Sequence, residues 1–403
     1  MSGPLKNLRV LDLSRILAGP WSSQLLGDYG ADIVKVERPG TGDDTRAWGP
    51  PWLHAASDVS AYFLSANRNK RSLAVDFSTP QGQHLIRDLA MKADILIENF
   101  RVGTMQRFNL GPGDLCELNP RLIYCSISAF GQTGSRAGEP GLDAMIQASA
   151  GLMSITGAAD ADGGSPQKVG VAVSDIMAGM YATTAILAAV HDRHSSGKGQ
   201  HIDVPLYDSQ VAWLANQNMN FLVSGEQPER MGTAHPNIVP YQCFATADEP
   251  LMLAVANDRL FRRCCEGMDL DGLDSDPRFA TAAARVGNRN ALLSILQTRL
   301  HDKGRDDWLQ IFRDKGVPAG PVKGIREVLT DDHAEERGLV RQLPDGEGND
   351  IPSVSNPVEF SATPVEYRAA PPGLGQHTNE VLRDWLGYSD AEIRGLRQHD
   401  IIQ

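Results

Sequence analysis

The sequence is poor in the features that announce a stapled, metal-bound or membrane-embedded protein. Of its 403 residues only five are cysteine: Cys116, Cys125, Cys243, Cys264 and Cys265. None forms a CxxC pair or stands at metal-ligand spacing from a histidine, which argues against a zinc site. An odd number of cysteines fits a reducing compartment better than a disulfide framework. Basic residues are also short, 38 against 50 acidic, for a net charge of -12. That balance speaks against general nucleic-acid binding and against an anionic membrane surface, although one basic pocket could still hold a phosphorylated ligand. No uninterrupted apolar run approaches the roughly 18 residues that a membrane helix needs, so no spanning segment is expected. The N-terminus shows neither an apolar signal core nor an Arg/Ser-rich presequence, and the expected location is the cytoplasm. There are no internal repeats and no low-complexity tract. With 41% hydrophobic and 22% charged residues, the composition is that of a globular chain able to bury a large core in one or two domains.

What is present begins with strand and helix in alternation. Leu8–Leu13 reads as a buried strand, Gly19-Pro20 opens a helix that runs to about Tyr29, and Ala31–Glu37 is a second strand. This βαβ unit of about 30 residues predicts a parallel sheet. Further strands are expected at Ser72–Phe77, Asp94–Phe100, Leu122–Ile127 and Gln200–Val204. Helices are expected at Pro80–Ala93 with Thr79 as cap, at Asp143–Met153, as one long element from about Asp208 to Val223, and in the tail from Gln376 to Gln403, whose last helix opens at Ser389–Glu392 with capping-box spacing. The first turn, Ser14–Pro20, has no GxGxxG, which disfavours a dinucleotide cofactor even though Glu37 closes the second strand where a ribose-binding acid would sit. Composition shifts over Ser224–Pro240. The expected division is a large Rossmann-like domain over 1–223, a smaller α+β domain over 224–320, and a return of the chain to the large domain over 321–403.

Cations gather next to strands. Arg38 follows Glu37, Arg101 and Arg107 follow the strand at 94–100, and the run Asn67–Arg71, the densest basic stretch, comes just before the strand at 72–77, where it could hold phosphates. Ligands of open α/β sheets collect at the C-terminal ends of strands, so these residues could hold an anion; each could equally be a solvated charge.

The stretch Lys168–Gly179, KVGVAVSDIMAG, carries the sharpest chemical suggestion. A short extended approach leads to Ser174 and Asp175 in the first turn of a helix that ends near Ser195–Gly199. Two readings stand open. Ser174 or Asp175 could be an N-cap, satisfying an orphan backbone N–H. Alternatively Asp175, held ionised by the helix dipole, could attack an activated acyl carbon and carry the acyl group covalently.

Several motifs occur together in one order: Leu17–Pro20 (LAGP), Gly30–Pro39 (GADIVKVERP), Asn69–Ser72 (NKRS), Glu98–Phe100 (ENF), Gly199-Gln200 and Gly316–Pro321 (GVPAGP). In this the chain resembles, over nearly its whole length, the class III coenzyme A transferases. The resemblance implies that Asp175 is the catalytic nucleophile. It implies that Leu17, Ala18, Arg38, Asn69, Lys70, Asn99, Phe100, Arg107, Pro140 and Asp143 line the path of coenzyme A. It further implies a large domain whose sheet is built from both chain ends, an interlocked homodimer, and CoA thioesters and small carboxylic acids as substrates, with no permanently bound cofactor. The run Gly42–Pro51 is most similar to members that use dicarboxylates such as succinate or glutarate. Arg46, Lys168 and His235 are then candidates for the distal carboxylate. The chain departs from formyl-CoA transferases in having Leu17 in place of a glutamine and Gly232–Asn237 in place of a glycine-rich lid. Two other functions compete: racemisation of 2-methylacyl-CoA, and non-catalytic binding of acyl-CoA.

Overall fold

In strand β1 (Arg9–Asp12) successive side chains leave on opposite faces, as the pleat requires. Val10 enters one apolar cluster and Leu11 the other, both with no exposed surface. The same alternation recurs in β2 (Asp32–Glu37), β4 (Ile95–Glu98) and β5 (Ile123–Ser128), whereas β3 (Lys70–Ala74) buries the polar Lys70 and Ser72 and the edge strand β6 (His201–Pro205) leaves His201 and Asp203 exposed. Strands buried on both faces are what a parallel sheet covered by helices demands. The computed structural model describes residues 3–54, 59–345 and 348–403. In it these six strands form one sheet of order β3-β2-β1-β4-β5-β6, every pair parallel. The order reverses between β1 and β4, and at such a reversal the loops after the strands diverge and leave a crevice.

Helices cover the two faces. On one side lie α1 (Ala18–Asp28), α3 (Asp143–Ser149) and the 24-residue α4 (Val173–Ser196), whose Ala178, Ala182 and Ile186 are wholly buried. On the other lies α2 (Pro80–Lys92), capped as expected by Thr79, whose hydroxyl accepts the Gly82 amide at 3.0 Å. The predicted helix Asp208–Val223 is two helices, α5 (Leu206–Trp213) and α6 (Asn216–Ser224). Ala215 between them takes φ +46°, outside the helical region.

The C-terminal end joins this unit through helices and not through strands. All six strands come from Arg9–Pro205, whereas α7 (Thr378–Leu386) and α8 (Asp390–Gln398) pack on the α2 side of the sheet. Val381, Leu382 and Trp385 recur at helical spacing and are buried, so this segment has the periodicity of a helix and cannot supply a strand. Among the described residues its pairing with the rest of the unit is an isolated bridge of Ile402 with Val75, while Val340–Pro344 and Asp350–Val354 pair with each other in a separate two-stranded sheet. Ser389 and Glu392 form the expected capping box of α8.

By length and composition α4 could cross a membrane, contrary to the expectation that no segment is long and apolar enough. Half of its most apolar window is buried inside the protein. Its small residues serve close packing under the sheet, which is how a core helix comes to look like a spanning one.

A second unit comprises Met153–Lys168 and Val223–Asp331. Strands Tyr241–Phe244, Leu251–Ala254 and Ala319–Pro321 form an antiparallel sheet. It shares a core of Phe261, Leu292, Leu296, Trp308 and Phe312 with neighbouring helices. Residues 153–168, expected with the large domain, belong here. The Gly232 amide donates to the Gly157 carbonyl at 3.0 Å, and Arg230 pairs with Asp160 and reaches the Ala158 carbonyl. Such long-range loop contacts leave no periodicity in the sequence.

Candidate active site

Helix α4 begins without a cap of its own. Its N-cap position is Ala172, which has no side chain to offer, and neither Ser174 nor Asp175 caps the helix. The cap comes from α3 instead: Asp143 Oδ1 accepts the Ser174 amide at 2.8 Å, and Gln147 Nε2 holds the other oxygen at 2.7 Å. Gln147 in turn accepts the Val169 amide at 2.8 Å, which fixes the extended approach to α4. The Ser174 hydroxyl donates to Gln210 Oε1 at 2.8 Å. Asp175 is left over. Among the described residues no hydrogen bond reaches its carboxylate.

Its charge is correspondingly disfavoured. Burial first, and then the Asp143 carboxylate, push Asp175 from an ordinary 3.8 up to about 7. Asp143 also accepts the Ser174 amide, so that donor is not offered to Asp175. Tyr62 stands in the same field. Burial first, then Asp175 and Asp143, push its phenol up to about 12, so it remains a neutral donor.

Gly179 lies one turn beyond Asp175 on the same helical face. A Cβ there would sit 2.6 Å from the Ala18 carbonyl oxygen, a distance that packed atoms do not tolerate. The glycine therefore lets α4 press against the start of α1, and this brings Asp175 to Leu17 and Ala18.

Asp175, Leu17, Ala18, Asn99, Phe100 and Pro140 line one cavity of about 360 Å³, at the reversal between β1 and β4. Arg38 lines a second cavity of about 360 Å³ beyond the end of β2, together with Lys35, Glu37, Thr41 and Phe77. Arg15 and Phe100 line both. The Arg15 guanidinium lies 5.1 Å from the centre of the Phe100 ring. Asn99 clamps the Arg15 backbone from both sides, accepting its amide at 2.8 Å and donating to its carbonyl at 2.7 Å. Next to it Ile16 is held at φ +69°, a strained value for a β-branched residue. Both oxygens of Asp43 lie 3.2 Å from its amide and oppose that strain.

Other expected site residues are used inside the protein. Lys70 is fully buried and gives its three donor bonds to Asp12 at 3.2 Å, Asn67 at 2.9 Å and the Pro20 carbonyl at 3.0 Å. Burial, with Lys35 nearby and in spite of Asp12, pulls its ammonium down to about 8. Asn69 takes φ +60° and ties Asp28 and the Glu366 carbonyl to the Arg368 and Ala369 amides. Arg46 forms a two-point pair with Glu37, both bonds 2.8 Å, and donates to the Pro372 carbonyl at 3.0 Å. Neither Asn69 nor Lys70 lines a cavity with Asp175 or Arg38, and Arg46 has its fork occupied. The reason is shared: all three are buried, and buried polar groups find internal partners. Arg107 is exposed beside the Phe108 ring and lines neither cavity. Lys168 and His235 belong to the second unit, where His235 Nδ1 accepts the Asn237 amide at 3.0 Å. Arg15 and Tyr62 were not singled out from sequence. A cation directly after β1 was the available signal for the first; nothing local marks the second.

The model of the family described as CoA-transferase family III matches residues 5–378. The chain is 46% identical to the succinate–glutarate CoA-transferase of Agrobacterium fabrum, over 94% of this chain and 95% of that protein. It is 39% identical to the succinyl-CoA:glutarate CoA-transferase of Homo sapiens, over 99% of this chain and 90% of that one. A CaiB/BaiF family protein from Brucella suis, solved by crystallography, superposes with a TM-score of 0.82 at 43% identity, covering 96% of this chain and all of the other. The chain belongs to CoA-transferase family III and is an enzyme of that family.

Proposed function

We propose that the enzyme transfers CoA from succinyl-CoA to glutarate or a closely related dicarboxylate, with Asp175 as nucleophile. The observation that carries this reading is the Asp175 carboxylate, raised to about 7 and without a hydrogen-bond partner among the described residues, in a cavity next to the α1 N-terminus. A carboxylate stripped of solvent and partners is a stronger nucleophile than one in water. Asp175 attacks the thioester carbonyl, the C–S bond breaks, and a mixed anhydride and CoA thiolate result. The thiolate attacks the aspartyl carbonyl and expels the donor acid, leaving an aspartyl-CoA thioester. The acceptor carboxylate attacks that carbonyl, releases the thiolate and forms a second anhydride. The thiolate then attacks the acceptor's acyl carbon, giving the new CoA thioester and the free Asp175 carboxylate. Backbone amides at the start of α1 are suited to the oxyanions. The choice of succinate and glutarate follows the names of the two relatives above.

Racemisation is disfavoured because it needs a second proton-transferring group across the α-carbon. Leu142, which lines the cavity together with Asp175, cannot move a proton, and the Asp143 carboxylate is engaged by the Ser174 amide and Gln147. The deciding experiment incubates the enzyme with succinyl-CoA and glutarate, and separately with (R)-2-methylacyl-CoA in deuterated water. Glutaryl-CoA and free succinate are expected, with a mass adduct on Asp175 and no turnover by Asp175→Asn. Deuterium at the α-carbon without CoA exchange would establish the racemase.

A homodimer is part of the same proposal. Met180 and Tyr181 on α4, and Trp213, Met219, Phe221 and Leu222 on α5 and α6, are large apolar side chains left exposed in one chain. Exposed apolar area of this extent favours a partner surface. Sedimentation at nanomolar concentration should give a species of twice 43.7 kDa.

A further inference from the structure

Within the proposed reaction, and resting on it, we infer that Arg15 is the residue that selects acceptors with a second carboxylate. Among the described residues two cations line the Asp175 cavity, Arg15 and Arg101. Arg15 is the one built into place. Its backbone is gripped by Asn99 at 2.8 and 2.7 Å, its neighbour Ile16 is fixed through Asp43, and its guanidinium lies against the Phe100 ring. Its side chain is nevertheless 44% exposed. A planar guanidinium braced on an aromatic face presents its remaining N–H donors edge-on, the geometry that receives a carboxylate at two points.

The partner that Arg15 has within the chain is one that a substrate can replace. Asp44 meets Arg15 Nη1 at 3.0 Å, and the Asp44 side chain is itself 52% exposed. An exposed pair of this kind is worth little. Compare Arg46, two residues beyond Asp44: its pair with Glu37 is two-point and buried, with the side chains 8% and 1% exposed. Exchanging Glu37 for a substrate carboxylate would strand a buried charge, whereas exchanging Asp44 strands none. Arg15 also stands where the two cavities meet. A dicarboxylate whose one end is at Asp175 has there a cation for its other end.

The experiment gives the enzyme succinyl-CoA with an equimolar mixture of glutarate and valerate, acids of equal chain length that differ in the second carboxylate. Both acids compete for the same CoA-loaded enzyme, so effects on the donor cancel in the product ratio. The Kd for free CoA is measured alongside. Arg15→Gln should lower kcat/KM for glutarate about ten- to a hundredfold and collapse the glutaryl-CoA to valeryl-CoA ratio. CoA binding should stay within about twofold, and Arg15→Lys should restore part of the ratio. An unchanged ratio in Arg15→Gln overturns the assignment. So does a weakened CoA affinity at constant ratio, which would make Arg15 a phosphate ligand, and so does a ratio lost in Arg101→Gln but kept in Arg15→Gln. Failure of the wild-type enzyme to form glutaryl-CoA would instead remove the reaction proposed above.

Discussion

The Asp143 carboxylate accepts the Ser174 amide hydrogen at 2.8 Å, so the acid whose charge reaches Asp175 also caps the helix that carries Asp175. The bond has two consequences for Asp175. It anchors the first turn of α4, and it sets a negative charge beside the Asp175 carboxylate.

The negative charge, added to burial, shapes a pH profile. Asp175 is raised from an ordinary 3.8 to about 7, and the nucleophile must be ionised. If Asp175 is the nucleophile, kcat/KM should rise with a slope of one in its logarithm up to a midpoint near pH 7 and then level off. Stability should move the other way. A raised carboxylate favours the folded protein while it is protonated, fully below pH 3.8, and the advantage is lost as pH rises through about 7. Asp175→Asn, which never ionises, should therefore melt above the wild type at pH 8 and close to it at pH 4. Denaturation curves at the two pH values check this; an equal gap at both would refute it.

Asp143→Asn should shift the activity midpoint below 7, because the second cause of the rise is removed while an oxygen remains to accept the Ser174 amide. Burial, the larger cause, stays. Asp143→Ala should in addition cost about 1 kcal/mol of stability through loss of the cap. A midpoint unmoved in Asp143→Asn would show that the Asp143 charge does not reach Asp175.

Gly179→Ala tests the contact that seats α4 on α1. The new methyl must displace the Ala18 carbonyl from 2.6 Å. Overpacking of this kind costs about 1–3 kcal/mol. It should also lower kcat by moving Asp175 relative to Leu17 and Ala18, and CoA affinity should change less than kcat. Wild-type turnover in this variant would mean that the two helices need no such approach.

Lys70 and Arg38 should separate cleanly. Lys70→Met leaves Asp12 buried without its closest cation and should destabilise the protein by about 3 kcal/mol or more. Arg38→Ala, at an exposed position lining the second cavity, should leave the melting temperature within about a degree and raise the KM of every acyl-CoA by a similar factor. Differential scanning calorimetry and initial rates distinguish the two; a Lys70 variant with normal stability and weak CoA binding would reverse the roles.

The sequence by itself determined the elements that depend on near neighbours. Alternating apolar residues specified β1, β2, β4 and β5 to within a few residues. Thr79 and Ser389 marked their helix starts, Gly197 at φ +72° closes α4 where the glycines indicated, and Asp175 stands in the first turn of its helix as read. Its identity as a CoA-transferase was also legible, because the motifs follow one another in a fixed order. Tertiary structure decided which charges are free. Nothing local distinguishes Lys70 in Asn67–Arg71, or Arg46 in its turn, from Arg15: all three are cations beside strand ends. Lys70 finds Asp12, 58 residues away, and Arg46 finds Glu37 and the Pro372 carbonyl, 326 residues away, whereas Arg15 meets an exposed aspartate. The same holds for the pKa of Asp175, set by burial and by an acid on another helix. Desolvation and ion pairing depend on what the folded chain brings within a few ångströms. Periodicity and capping depend on residues three or four positions apart, and those are written in the sequence.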